Sequence, residues 1–220
     1  PWHGKKSATR QRAGEVAENS YSFIHVTSPD MLHWNWESTK LQPSFTGHGM
    51  FSGTGLLTAE GVPVAVYCGV CTPPDSFIAI AKDNKLSEWE KPYPLIVEDG
   101  LIGSEKSLLM DPDCFRINDT YYAFSAKELL ICKSTDLKKW HAVGPLLKYD
   151  MLDVAIGEDL SCANFFPLGN KWVLLCISHT IGCRYYIGHL DTTIEQFVPE
   201  SHGRMNWRRS GQSLSSPVYR

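Results

Sequence analysis

At 220 residues, with 43% hydrophobic and 20% charged side chains, the chain has the composition of a globular domain able to bury a sizeable core. A formal net charge of −3 gives no electrostatic footprint for nucleic acid. No apolar run approaches the roughly 18 residues of a membrane-spanning helix, and no secretory leader is recognisable. Residues 1–20 carry a basic cluster (Lys5, Lys6, Arg10, Arg12) without interleaved aromatics, which reads as a solvated or disordered lead-in. A turn with Asp then leads to Trp34 in SPDMLHW. Strand-like segments follow at MFSGTG (Met50–Gly55), PVAVYCGV (Pro63–Val70) and FIAIAK (Phe77–Lys82), and KDNKLSEW ends at Trp89. The same plan returns in MDPDCF (Met110–Phe115), TYYAFSA (Thr120–Ala126), LLICKS (Leu129–Ser134) and STDLKKW, which ends at Trp140. It returns again in GEDLSCANFF (Gly157–Phe166), KWVLLCIS (Lys171–Ser178), YYIGHLD (Tyr185–Asp191) and LDTTIEQF, which ends at Phe197.

The aromatic ends are separated by 89 − 34 = 55, 140 − 89 = 51 and 197 − 140 = 57 residues. A repeat of roughly 50 residues built from short strands and turns predicts propeller blades. Each unit runs strand, hairpin, strand, hairpin, strand, then the Asp turn and its aromatic, with Trp34 expected to anchor its blade by packing. No long stretch has helical periodicity; Asp150–Ile156 is the nearest, and it is too short and uncapped. The prediction is an all-β chain of four consecutive antiparallel sheets. The seven cysteines (Cys68, Cys71, Cys114, Cys132, Cys162, Cys176, Cys183) are odd in number and fall mostly in predicted strands. They read as buried free thiols, which favours a reducing compartment over a disulfide framework without fixing localisation. Cys68 and Cys71 form a lone C-x-x-C with no second pair, so no metal is expected; no Gly-rich phosphate loop is present, and no cofactor is expected.

Overlaying the repeats brings out the chemistry. The first strand of a blade begins 50 − 34 = 16, 110 − 89 = 21 and 157 − 140 = 17 residues after the preceding Trp. Such strands line a propeller's channel, so Asp111 and Glu158 are expected to converge from neighbouring blades. Two carboxylates in one pocket are what glycoside hydrolysis needs, one ionised and one holding a proton for the leaving oxygen. The alternative is that both are turn residues opening strands.

At these motifs the chain resembles glycoside hydrolase family 32, the β-fructosidases. HVTSPDMLHW with GMFSGTG resembles that family's second-blade signature. MDPDCF resembles its Arg-Asp-Pro motif, which would make Asp111 the transition-state stabiliser. GEDLSCANFFPLGNKWVLL resembles its Glu-Cys-Pro motif, which carries the general acid. HGRMNW (His202–Trp207) is similar to the start of its fifth blade. The resemblance runs from about Phe23 to Trp207. It implies a five-bladed β-propeller, about four blades of it present, that cleaves fructose-containing glycosides such as sucrose, levan or inulin with retention. Carbohydrate is then the expected partner, with neither nucleic acid nor membrane.

Three departures qualify what it implies. The family's Asp-Pro-Asn motif, with its nucleophilic Asp, has no counterpart: residues 1–20 contain no Asp. Met110 stands where the Arg of Arg-Asp-Pro would bind substrate. A gapless match of CANFFPLG puts Ser161 in the acid's place, so a bulge is needed to bring Glu158, or Asp159, into position. Residues 1–220 therefore read as one propeller domain truncated at both ends and inactive alone. Phe51 and Ser52 match a sugar-touching Phe-Ser-Gly segment; Asp113 and Trp36 are further substrate-binding candidates. His179 and Arg184 flank a hairpin and read as surface residues. Two other functions stay open: a non-catalytic carbohydrate-binding propeller, and a family 43-type arabinan-cleaving glycosidase.

Overall fold

The computed structural model describes residues 21–70, 75–98, 111–124, 129–148, 151, 160–178 and 182–205. The chain divides into two compact units, Pro1–Ile96 and Val97–Arg220.

In the first unit β1 (His25–Thr27) and β2 (Asn35–Glu37) form a two-stranded antiparallel ribbon. A single helical turn, Pro43–Thr46, starts on a proline, whose missing N–H costs nothing there, and ends on Gly47 at φ 88°. It is the only helix among the described residues, as the absent periodicity predicted. Four strands follow as an antiparallel meander: β3 (Gly49–Leu57), β4 (Pro63–Val70), β5 (Asp75–Ile80) and β6 (Tyr93–Pro94). β4 is central and mostly buried, which matches its run of Val, Ala, Tyr and Cys. β3 and β5 flank it, β3 with alternating exposure along its second half.

The second unit holds two more such meanders. One is β7 (Asp113–Ile117), β8 (Thr120–Phe124), β9 (Leu130–Ser134) and β10 (His141–Pro145); the other is β11 (Ser161–Leu168), β12 (Lys171–Ser178), β13 (Gly182–Asp191) and β14 (Gln196–Arg204). The hairpins β7–β8 and β11–β12 have two-residue loops whose first residues, Asn118 and Gly169, sit at φ 52° and 61°. A left-handed first residue gives the turn the twist of its strands.

Four Asp turns repeat the same wiring. The Asp30 carboxylate accepts the N–H groups of Leu32 and His33, Asp83 those of Lys85, Ser87 and Glu88, Asp136 those of Lys138 and Lys139, and Asp191 that of Thr193. Met31, Leu86 and Leu137, each three residues before a Trp, all turn left-handed at φ 58–63°. In the later two turns the indole Nε1–H donates back to that residue's carbonyl: Trp89 to Leu86 at 2.9 Å and Trp140 to Leu137 at 3.1 Å. The turn aims the aromatic inward. Trp89 is 6% exposed, and Trp140 and Phe197 are fully buried.

Trp34 departs from its expected role. It is 54% exposed, because β1 and β2 are only two strands among the described residues and give it no second layer. The HGRMNW segment also reads differently. His202–Arg204 extend β14 by pairing with β13 (Arg184↔Arg204), so they close the fourth sheet instead of opening another; Asn206 and Trp207 lie outside the described residues.

Each unit has its own core. In the first, Leu41, Met50, Tyr67, Ala79, Ala81 and Trp89 pack together. In the second, the two sheets share a larger cluster that includes Phe115, Phe124, Ile131, Phe165, Leu174 and Phe197. Its rings interlock, with Phe115 edge-on to Phe165 at 5.1 Å and Phe165 stacked on Trp172 at 4.7 Å. The six described cysteines are all free. Cys68, Cys114, Cys132 and Cys176 are buried as expected, and burial drives the thiols of Cys114 and Cys132 upward, the latter to about 12. Cys162 is exposed against expectation, and Cys71 lies outside the described residues.

Candidate active site

The first strands of the second unit's two sheets, β7 and β11, run beside one another. Asp113 fixes the contact: its carboxylate is 3% exposed and accepts the N–H of Phe165 at 2.6 Å. A charged acceptor on a backbone donor is among the stronger hydrogen bonds, and it ties the start of one strand to the middle of the next. Asp113 is thus an inter-sheet tie as well as a sequence candidate.

Asp111 lies just ahead of β7, not within it as the strand alignment had it. Pro112 has no N–H for a ladder, and Asp111 takes φ 46°, so pairing begins only at Asp113. The turn leaves the Asp111 carboxylate half-buried at the mouth of the strand. Facing it is Cys162, whose Sγ lies 3.6 Å from Asp111 Oδ2. Cys162 occupies a bulge where the β11–β12 register slips between Ser161 and Asn164, and it also turns left-handed, at φ 49°. Two non-glycine residues in this region each cost about 1–3 kcal/mol, and strain of that kind collects at functional sites. A bulge re-aims side chains, and here it swings the thiol out toward Asp111.

The same irregularity recurs in the first unit. β3 slips against β4 between Met50 and Gly53, which puts Phe51 and Ser52 at the bulge. Gly53 is required there, since a Cβ would lie 2.3 Å from the Val66 carbonyl oxygen. Phe51 is exposed and stacks on Tyr21 at 5.9 Å, and Ser52 is half-buried. Trp36 stands exposed on β2, paired across to Val26. Just before β3, His48 is buried, stacked on Phe77 at 4.0 Å, with Nε2 3.1 Å from the Tyr67 hydroxyl. Burial, and then the Lys91 cation, hold its pKa below the ordinary value, so it is neutral near pH 7. Nothing in the sequence distinguished His48, because its partners come from strands far along the chain.

Glu158 and Asp159 lie outside the described residues, as do Met110 and His179. Arg184 is not the surface residue its hairpin suggested. It is 1% exposed on β13, donates to His202 Nδ1 at 3.1 Å and lies over the Tyr186 ring. A long side chain beside a turn can fold back along its sheet and be buried there. Among the described residues no group of three or more His, Cys, Asp or Glu side chains is arranged to hold a metal ion. What the geometry offers is a half-buried carboxylate at a strand mouth, on a strained backbone, against a second strand fixed by Asp113. A carboxylate so placed can face a positive charge that develops on a bound substrate.

The sequence profile of the "Glycosyl hydrolases family 32 N-terminal domain" matches residues 11–214. A sucrose-6-phosphate hydrolase of Klebsiella pneumoniae is 26% identical over 167 residues, covering 69% of this chain and 35% of that protein. A β-fructofuranosidase, insoluble isoenzyme 2, of Oryza sativa subsp. indica is 25% identical over 216 residues, covering 81% and 36%. The chain thus spans about a third of the length of these relatives. Among solved structures, the GH43B protein of a Bacteroides ovatus xyloglucan locus superposes with a TM-score of 0.55 at 15% identity, covering 80% of this chain and 35% of that one. At that identity the likeness concerns fold alone, and it is a likeness of propeller-type sheets.

Proposed function

We propose, given that the chain belongs to glycosyl hydrolases family 32 through its N-terminal domain, that it supplies part of the active site of a hydrolase of fructose-containing glycosides. The relatives named for sucrose 6-phosphate hydrolysis and for β-fructofuranosidase activity point to the same substrate class. The observation that carries the reading is the meeting of Asp111 with Cys162 at 3.6 Å, where two successive first strands converge.

In this reading Asp111 stabilises the positive charge that develops on the fructosyl ring as the glycosidic C–O bond breaks. Glu158, or Asp159 in its place, gives its proton to the leaving oxygen. Glu158 is four residues from Cys162, a tether of at most about 14 Å, so the acid can reach the carboxylate that Cys162 touches. Asp113 positions: it holds β11 against β7 and so sets the distance between the two groups. Phe51, Ser52 and Trp36 are the substrate-binding candidates that lie on the first unit. The nucleophilic carboxylate of a retaining mechanism comes from an Asp-Pro-Asn strand that these 220 residues do not contain. The four sheets belong to a five-bladed propeller that also includes that strand.

Two expectations test the proposal. Purified residues 1–220 release negligible fructose from sucrose or inulin. In a longer form carrying an Asp-Pro-Asn strand, Asp111→Asn lowers kcat by several orders of magnitude, as loss of a group acting within a catalytic unit does. Robust hydrolysis by the 220-residue chain, or full activity of the Asp111→Asn enzyme, would overturn it.

A further inference from the structure

The hairpin that ends the fourth sheet sets two arginines side by side. Arg184 on β13 and Arg204 on β14 are direct cross-strand partners, and the next pair on the same face is Tyr186 with His202. Like charges placed directly opposite repel and weaken a sheet. Here one of the two is also buried: Arg184 is 1% exposed. A buried guanidinium beside a second one calls for negative charge at the same place. Arg204 Nε is buried as well and has no hydrogen-bond partner among the described residues.

The neighbours add to this donor set. Tyr186, 2% exposed, forms its floor: the His202 ring stacks on it at 5.5 Å, and the Arg184 guanidinium lies over it at 5.1 Å. Arg184 Nη2 stands 3.1 Å from His202 Nδ1. A guanidinium can only donate, so Nδ1 accepts and the imidazole proton sits on Nε2 as a further donor. Two guanidinium forks and one imidazole N–H thus gather on one face of one hairpin.

We propose that Arg184, Arg204 and His202 bind a phosphate dianion, either inorganic phosphate or a phosphate monoester. Charge decides the class. A carboxylate would balance only one of the two guanidinium groups, whereas a phosphate monoester carries about −1.5 to −2 at pH 7 and offers three strong acceptor oxygens. Planar guanidinium forks suit such oxygens. The same row continues inward, since Arg184 pairs with Cys176 and Cys176 stands opposite the Cys162 bulge. Two strand spacings set the β13 arginine about 10 Å from that bulge. A phosphate there can therefore arrive free or at the far end of a small sugar that faces Asp111. The sugar-borne source rests on the catalytic reading of Asp111; the phosphate site does not.

Inorganic phosphate is titrated into the full 220-residue chain at constant ionic strength and followed by calorimetry and thermal melting. We expect saturable binding with Kd on the order of 1 mM or tighter and a thermal midpoint that rises with phosphate. Arg204→Ala should weaken binding at least about tenfold, the worth of a charged hydrogen bond, with far-UV circular dichroism unchanged. Arg204→Lys should restore only part of the affinity, because it keeps the charge and loses the fork. In phosphate-free buffer Arg204→Ala should melt no lower than wild type, because it removes a like charge from opposite Arg184. Asp111→Asn should leave phosphate binding unchanged, which keeps the site separate from the catalytic reading. Glucose 6-phosphate distinguishes the sources: tighter binding than inorganic phosphate assigns the site to a sugar-borne group, and equal or weaker binding assigns it to free phosphate. No saturation up to about 20 mM phosphate, or equal binding by the Arg204→Ala chain, overturns the proposal. So does a phosphate-free midpoint that Arg204→Ala lowers, since it would mean that Arg204 already has its counter-charge within the chain.

Discussion

At the scale of single residues, the same side chain has opposite weight in different copies of the repeat. Trp140 is fully buried, with its indole N–H bonded to the Leu137 carbonyl. Trp140→Ala should cost about 3–5 kcal/mol, the usual range for truncating a buried aromatic. Trp34 is largely exposed, and Trp34→Ala should fall within roughly 0.5 kcal/mol of wild type. Urea unfolding of the two variants checks this, and equal losses would mean that Trp34 is packed in solution. Gly53 is the other residue with a sharp expectation. Its missing Cβ lets β3 approach the Val66 carbonyl, so Gly53→Ala forces strands apart at the bulge and should destabilise by about 1–3 kcal/mol. An unchanged urea midpoint for that variant would refute the close approach.

At the scale of elements, the turn after Asp191 ties two sheets of the second unit together. Glu195 accepts from the Tyr122 hydroxyl at 2.7 Å and from the Lys133 ammonium at 2.7 Å, reaching from the β13–β14 turn to β8 and β9. Burial alone would raise the Glu195 pKa, but the bonds from Lys133 and Tyr122 outweigh it and hold the carboxyl below the ordinary value. Burial, and then the same contact, push the Tyr122 hydroxyl up to about 12. Glu195→Ala should cost about 1–3 kcal/mol by orphaning both partners, whereas Tyr122→Phe should cost nearer 1 kcal/mol. A double-mutant cycle should find the two coupled, and strict additivity would mean that the bond is not formed. The strands were legible because their composition and turn chemistry agree: Pro63–Val70 and Lys171–Ser178 match the observed β4 and β12 at both ends. The bulge at Cys162 was legible only as a possibility, and the one at Phe51 not at all. The slips at Cys162 and Phe51 depend on cross-strand register, which one strand's sequence does not encode. For the same reason the placing of Asp111 ahead of its strand, the exposure of Cys162, the burial of Arg184 and the opening of Trp34 came from the fold. Each is settled by what a distant segment supplies or withholds.

At the scale of the whole chain, the repeat that organises the fold also sets its response to acid. Asp30, Asp83, Asp136 and Asp191 head the four turns, and each carboxyl is held below its ordinary value. The leading causes are the backbone N–H groups of His33, Glu88 and Lys139 for the first three, and the Thr193 hydroxyl for the last. A carboxylate with a depressed folded-state pKa contributes stability above its unfolded value, about 3.9, and loses it as pH falls through the folded value. The fold should therefore keep a level thermal midpoint from neutrality down to about pH 5, then weaken steeply below about pH 4. Each turn is surface-exposed, so each share is modest and screened, and the effect comes from four similar turns titrating in the same direction. Asp136→Asn separates this from general acid unfolding. The amide still accepts hydrogen bonds but carries no charge, so the variant should melt below wild type at pH 6. The two melting curves should draw together as the pH falls through the folded-state value of the wild-type carboxyl. A gap that stays constant across that range would mean that the Asp136 charge contributes nothing and that the turn is held by backbone geometry alone.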